Sequence, residues 1–160
     1  MLLEDVVRGK ILYADDQYVN QQSIKRHCEE LDIANQLTLF NNGQEVIEHL
    51  EDILVAVQTF EIDQNQPIQP VKLLLLDINM PIMNGFDTLI GVQTLYNKHN
   101  ARLNNLTTSP LINSEGNSQH TFIVRPLIVF FSQFERAQFI QFFSLDEQPE
   151  FYMSKPLAIN

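Results

Sequence analysis

Val71-Lys72-Leu73-Leu74-Leu75-Leu76 runs directly into Asp77-Ile78-Asn79-Met80-Pro81-Ile82-Met83-Asn84-Gly85. The first run lacks polar alternation and reads as a strand buried on both faces. The second is turn-rich, with Pro81 and the pair Asn84-Gly85 interrupting it before a new apolar periodicity begins. Asp77 therefore stands where a buried strand stops and a loop begins, the position at which open α/β sheets place their ligands.

Two other acids, Asp15 and Asp16, bear the same relation to the apolar run Ile11-Leu12-Tyr13-Ala14. Lys155-Pro156 follows a third such run, Phe151-Tyr152-Met153-Ser154. Further short apolar runs at Leu37 to Phe40 and Pro126 to Phe131 bring the expected strands to five. Helical spacing occupies the intervals Val19 to Leu31, Gly43 to Thr59, Phe86 to Tyr96 and Phe134 to Phe143. Strands alternating with helices imply a parallel α/β sheet. Three acids and a lysine at strand ends point to a magnesium-dependent phosphoryl site, because Mg²⁺ prefers oxygen ligands supplied by one or two carboxylates together with phosphate.

In the second helical interval, Val46, Ile47, Leu50, Ile53, Leu54 and Val57 recur at spacings of three and four, with Glu45, Glu48, Glu51 and Asp52 set between them. One face is core and the other is solvated. Leu89, Val92 and Leu95 follow the same logic in the third. Two segments read as loops: Glu61 to Pro70, and Asn97 to Arg125, whose Asn, Ser and Thr content predicts a flexible insertion longer than usual connections. Only Leu157 to Asn160 follow Lys155-Pro156, so a helix after the last strand is expected to be missing from the chain.

The chain has 160 residues, 44% of them hydrophobic, enough for one domain with a sizeable core. Its formal charge of -10, with Lys and Arg totalling 10 and nowhere clustered, argues against tracking a phosphate backbone. Direct nucleic-acid binding is not expected. Cys28 is the single cysteine, which excludes an internal disulfide and reads as a small core residue. No apolar run approaches the ~20 residues of a membrane span, so no membrane contact is expected. Glu4 and Asp5 interrupt the start where a signal peptide needs an apolar core, and a cytoplasmic location is the expectation.

From Lys10 to Pro156 these residues resemble the receiver domain of two-component response regulators. Lys10-Ile11-Leu12-Tyr13-Ala14-Asp15-Asp16 resembles that family's first strand with its acidic pair, and Asp77 to Gly85 its phosphoacceptor loop. Val129-Phe130-Phe131-Ser132 resembles the fourth strand with its terminal hydroxyl, and Tyr152-Met153-Ser154-Lys155-Pro156 the fifth with its lysine. The four pieces stand in the family's order, each at the end of an apolar run. Asp16-Gln17-Tyr18-Val19-Asn20-Gln21 is further similar to receivers attached to hybrid histidine kinases.

The resemblance implies a single flavodoxin-like, doubly wound domain with strand order 2-1-3-4-5. It also implies a function: accepting a phosphoryl group from a histidine kinase or histidine phosphotransfer protein onto Asp77, and switching conformation. Asp16 and Asp77 would hold Mg²⁺ directly, Asp15 mainly through a water, and Asn79 through its backbone carbonyl. Lys155 would offset phosphoryl charge, Ser132 would hydrogen-bond a phosphoryl oxygen, and Tyr152 would change rotamer as Ser132 moves. Protons compete with the cation for these oxygens, so metal binding should weaken as pH falls.

The chain departs from the family pattern in three places. Ser132 stands where threonine is commoner, Gln133 where a small residue is usual, and Ser144 to Glu150 where a Gly-Ala pair often precedes the last strand. Gln133 and the short end leave a second reading, a degenerate receiver that serves as a binding module. A third, a magnesium-dependent phosphohydrolase, needs an acid two residues beyond the nucleophile, where Asn79 stands. A lone Asp at a strand end is commonly a turn former, and a lone Ser a helix cap, so the assignment rests on their combination. His27, His49, His99 and His120 show no ligand spacing. The phenylalanines from Phe130 to Phe143 read as packing.

Overall fold

The computed structural model of the chain describes residues 9–58, 69–107, 123–132 and 151–154. In chain order they form β1 (Lys10–Ala14), α1 (Tyr18–Glu30), a 3₁₀ turn (Ala34–Gln36), β2 (Leu37–Phe40), α2 (Gly43–Gln58), β3 (Val71–Leu76), α3 (Gly85–Thr107), β4 (Leu127–Ser132) and β5 (Phe151–Ser154). The five strands make one parallel sheet in the order β2-β1-β3-β4-β5. This is the expected flavodoxin-like order, with β3 central between β1 and β4. Because the strands are parallel, all five C-terminal ends lie along one edge. The helix expected over Phe134 to Phe143 falls outside the described residues.

Alternation along β1 divides the core. Leu12 and Ala14 join Leu74, Leu76, Ile128 and Phe130 on the face packed by Val46, Leu50 and Leu54 of α2 and by Leu89, Val92 and Leu95 of α3. Leu50 and Val46 are fully buried, and burial of side chains of this size contributes roughly 1.5–3 kcal/mol each. Ile11 and Tyr13 point the other way, where α1 buries only Gln21 and Cys28. The expectation of strands buried on both faces fails for β2. As the edge strand it leaves Leu37, Thr38 and Leu39 only part-buried, and central β3 also leaves Lys72, Leu73 and Leu75 part-buried.

Both long helices begin at an Asn cap. The Asn42 Oδ1 accepts from the Glu45 N–H at 3.1 Å while Asn42 Nδ2 donates to Glu45 Oε1 at 2.8 Å. Asn84 and Asp87 repeat the arrangement at 2.9 and 2.8 Å. These are Asn N-caps whose side-chain amide also donates to the acid at the third helical position, a side-chain variant of the capping box.

The third helix does not stop at Tyr96. It continues through Thr107, so Asn97 to Thr107 is helical and not part of a flexible insertion; residues 108–122 lie outside the described ones. The reason is a buried stripe that runs on through Leu95, Tyr96 and His99. Next to His99, Asn100 clasps the backbone of Ile123 with two 3.1 Å bonds and ties the helix to the entry of β4. Among the described residues, no helix is long and apolar enough to cross a membrane.

Candidate functional site

The backbone ladder extends one residue past the strands and sets the acids in place. The Asp15 N–H donates to the Phe40 carbonyl at 3.1 Å, and the Asp77 N–H to the Ala14 carbonyl at 2.9 Å. Asp15, Asp16 and Asp77 each bring a carboxylate oxygen into a cluster no wider than 4.8 Å. That is the scale on which one cation with metal–oxygen distances of about 2.0–2.1 Å bridges several carboxylates. An all-oxygen donor set of this kind fits Mg²⁺. Asp15 and Asp77 are buried and Asp16 is exposed, so the cluster opens to solvent on the Asp16 side.

Asp15 is held from several directions. Its Oδ2 accepts from the Tyr13 hydroxyl at 2.6 Å, and its Oδ1 from the Gln17 N–H at 2.9 Å. Asn20 Nδ2 donates to both oxygens, at 3.2 and 3.0 Å. The Gln21 amide donates to the Asp15 carbonyl at 2.6 Å and to the Phe40 carbonyl at 3.2 Å, joining the ends of β1 and β2. Burial, then the hydrogen bond to Asp15 and the charges of Asp15 and Asp77, push the Tyr13 phenol well above its ordinary pKa. It therefore remains a proton donor.

The loop after Asp77 is fixed at both ends. The Gly85 N–H donates to the Ile78 carbonyl and the Gly43 N–H to the Met83 carbonyl, both at 3.0 Å. Between them Ile82 takes φ 66°, a left-handed conformation, inside a three-residue turn closed by the Met83 N–H on the Pro81 carbonyl at 2.7 Å. Gly85 is required by contact: a Cβ there would collide with the Asp77 carbonyl oxygen and press on the Phe130 ring.

Of the residues singled out in the sequence, Asp15, Asp16 and Asp77 converge. Asn79 lies exposed in the loop beyond Asp77. Ser132 ends β4, two positions past Phe130, the register partner of Leu76, so its backbone reaches the same edge as Asp77. Tyr152 pairs with Phe130 and Ser154 with Ser132. The side chains of Ser132 and Tyr152, and the whole of Gln133 and Lys155, fall outside the described residues.

The sequence reading missed Tyr13, Gln17, Asn20 and Gln21. Strand periodicity offered a signal for the first, since Tyr13 and Asp15 two residues apart share a face. For Asn20 and Gln21 the signal was their place in the first turn of the helix that follows the acids.

No protein-family model matches the sequence, and no curated protein matches it. Solved structures do. The receiver domain of the histidine kinase CKI1 from Arabidopsis thaliana, complexed with Mg²⁺, superposes with a TM-score of 0.60 at 11% identity, over 91% of this chain and 82% of that one. The receiver domain of the response regulator Ssk1 from Saccharomyces cerevisiae, crystallised with the histidine phosphotransfer protein Ypd1, gives 0.59 at 15% identity over 93% and 79%. A two-component response regulator from Legionella pneumophila gives 0.51 at 23% identity over 93% and 88%. This chain has the receiver-domain fold. In that fold the acidic cluster lies at the C-terminal ends of β1 and β3, where open α/β sheets bind ligands.

Proposed function

We propose that this chain is a phosphoacceptor receiver domain of a two-component phosphorelay, taking a phosphoryl group from a phosphohistidine donor onto Asp77. The observation that carries the reading is the convergence of Asp15, Asp16 and Asp77 at one edge of a receiver-type sheet.

An Asp77 carboxylate oxygen forms the new P–O bond as the P–N bond to the donor imidazole breaks, leaving an aspartyl phosphate. Asp16, Asp77 and the Asn79 carbonyl would hold Mg²⁺, with Asp15 acting through a water. When bound, the ion supplies positive charge against the phosphoryl oxygens. Lys155 offsets charge on the same group from the end of β5. The Ser132 hydroxyl donates to a phosphoryl oxygen only in the phosphorylated state, and that differential contact biases two conformations, with Tyr152 following.

A histidine kinase or histidine phosphotransfer protein is the partner, by analogy with the Ssk1 receiver captured with Ypd1. Such a relay operates in the cytoplasm. Asn79 stands where a phosphohydrolase of this chemistry would need its acid, which favours phosphoacceptance over turnover.

Mass spectrometry after acetyl phosphate treatment tests this directly. One phosphoryl group should appear on the wild type only with Mg²⁺, and none on Asp77→Asn. Undiminished Mg²⁺-dependent labelling of Asp77→Asn would end the assignment, and a folded wild type that stays unlabelled would leave the binding-module reading.

A further inference from the structure

We infer that Tyr13 is a positioning residue for the acidic site. Its hydroxyl holds Asp15 with both carboxylate oxygens occupied by protein donors, leaving Asp16 and Asp77 as the direct carboxylate ligands of a divalent cation. The inference rests on reading the acidic trio as a cation site.

An ionised carboxylate offers about four lone-pair positions. Three donors take most of them: Tyr13 at 2.6 Å, Gln17 at 2.9 Å, and the Asn20 amide nitrogen shared between the two oxygens at 3.2 and 3.0 Å, which leaves room to accept from a metal-bound water. A cation coordinating Asp15 directly competes with these donors for the carboxylate oxygens. The Tyr13 bond is the shortest and has the length of a charge-assisted O–H···O⁻ contact. It is also fully buried, so displacing it strands the Tyr13 hydroxyl, a donor, away from water.

The tyrosine ring cannot easily swing aside. Tyr13 has no exposed surface and packs edge-on against Phe131, with centroids 6.2 Å apart and planes at 67°. Two residues along one strand face hold hydroxyl and carboxylate in register. In this arrangement Tyr13 does in the metal-free protein part of what a cation does, by placing a positive hydrogen against one of three crowded carboxylates. A group that stabilises the metal-free state more than the metal-bound state weakens metal binding by linkage. Its removal should therefore strengthen binding while costing the metal-free fold stability. A residue that served only packing would do the second and not the first.

The test is calorimetric titration of the full chain with Mn²⁺, together with thermal melts in chelator and in saturating Mn²⁺, on wild type, Tyr13→Phe and Asn20→Ala. Tyr13→Phe should bind Mn²⁺ about three- to tenfold more tightly, the free-energy equivalent of one net hydrogen bond. It should also melt lower than wild type in chelator and gain more from the metal. Unchanged or weaker affinity in Tyr13→Phe, with wild type still binding, overturns the inference and leaves the cation site standing. A folded wild type that binds no Mn²⁺ overturns both. Should Tyr13→Phe not fold, Asn20→Ala carries the test from a part-exposed position. It removes a donor to both oxygens, so tighter binding is again expected, and no gain in affinity overturns the inference.

Discussion

The N–H of Asp77 donates to the Ala14 carbonyl at 2.9 Å, one residue beyond the last paired rung of β1 and β3. The bond anchors the proposed nucleophile to the strand that delivers Asp15 and Asp16. The separation of the acids is then set by strand spacing, about 4.7–4.9 Å between neighbours, and not by loop conformation. A site framed in this way keeps its geometry while the loops around it vary.

Gly85 is the point at which the loop presses on this frame. Because a Cβ there would meet the Asp77 carbonyl, the Ile78 backbone and the Phe130 ring, two of the three obstacles cannot rotate away. Gly85→Ala should therefore lose about 1–3 kcal/mol of stability in urea unfolding. Its acetyl phosphate labelling should fall as well, since relief of the clash moves Asp77. An unchanged urea midpoint would mean that the close approach does not persist in solution.

Ile82 makes the opposite case, a side chain where glycine would be easier. A β-branched residue at φ 66° bears a steric cost of ~1–2 kcal/mol, and at 84% exposure Ile82 recovers little of it by burial. Glycine costs ~0.5–1 kcal/mol in chain entropy, so Ile82→Gly should gain up to about 1.5 kcal/mol net. The reading is a higher urea midpoint at unchanged slope. A lower midpoint would show that the isoleucine makes compensating contacts.

The sheet was legible because parallel strands buried among helices leave unbroken apolar runs; all five strands were read to within a residue of their observed bounds. The acids were legible because strand ends are marked by the change from apolar run to turn chemistry. The end of α3 was misread because Asn97, Asn100 and Lys98 are loop-like in composition, while the stripe that continues the helix depends on His99, a residue not counted as apolar. The donors around Asp15 were missed for a different reason. They act through a three-dimensional convergence of strand and helix that no single periodicity displays.

His99 should make stability pH-dependent. Burial, followed by the positive charges of Arg102 and Lys98, lowers its pKa, while Glu51 acts in the opposite direction. In the unfolded chain the imidazole protonates near its ordinary value of about 6.5. Below that pH the unfolded state binds the extra proton, so stability falls with pH and levels off once the lowered folded value is passed. The stability difference between wild type and His99→Leu should shrink or invert between about pH 7.5 and about pH 5.5. A difference that stays constant over this range would place a proton on His99 in the fold.

Asp15 and Asp16 differ in what a cation can ask of them. The Asp15 carboxylate is buried and engaged by Tyr13, Gln17 and Asn20, whereas Asp16 is exposed at the mouth of the cluster. Asp16→Asn removes a charged direct ligand, and its affinity for Mn²⁺ should drop by about tenfold or more. Asp15→Asn removes charge acting at one remove and should lower affinity by a smaller factor. It should also disturb the fold more, since an amide nitrogen in the Asp15 position would confront the donors now satisfied by an oxygen. Calorimetric titration gives the first comparison and melting in chelator the second. If Asp15→Asn proved the more damaging to affinity, Asp15 would be an inner ligand, and the donors around it would have to yield when metal enters.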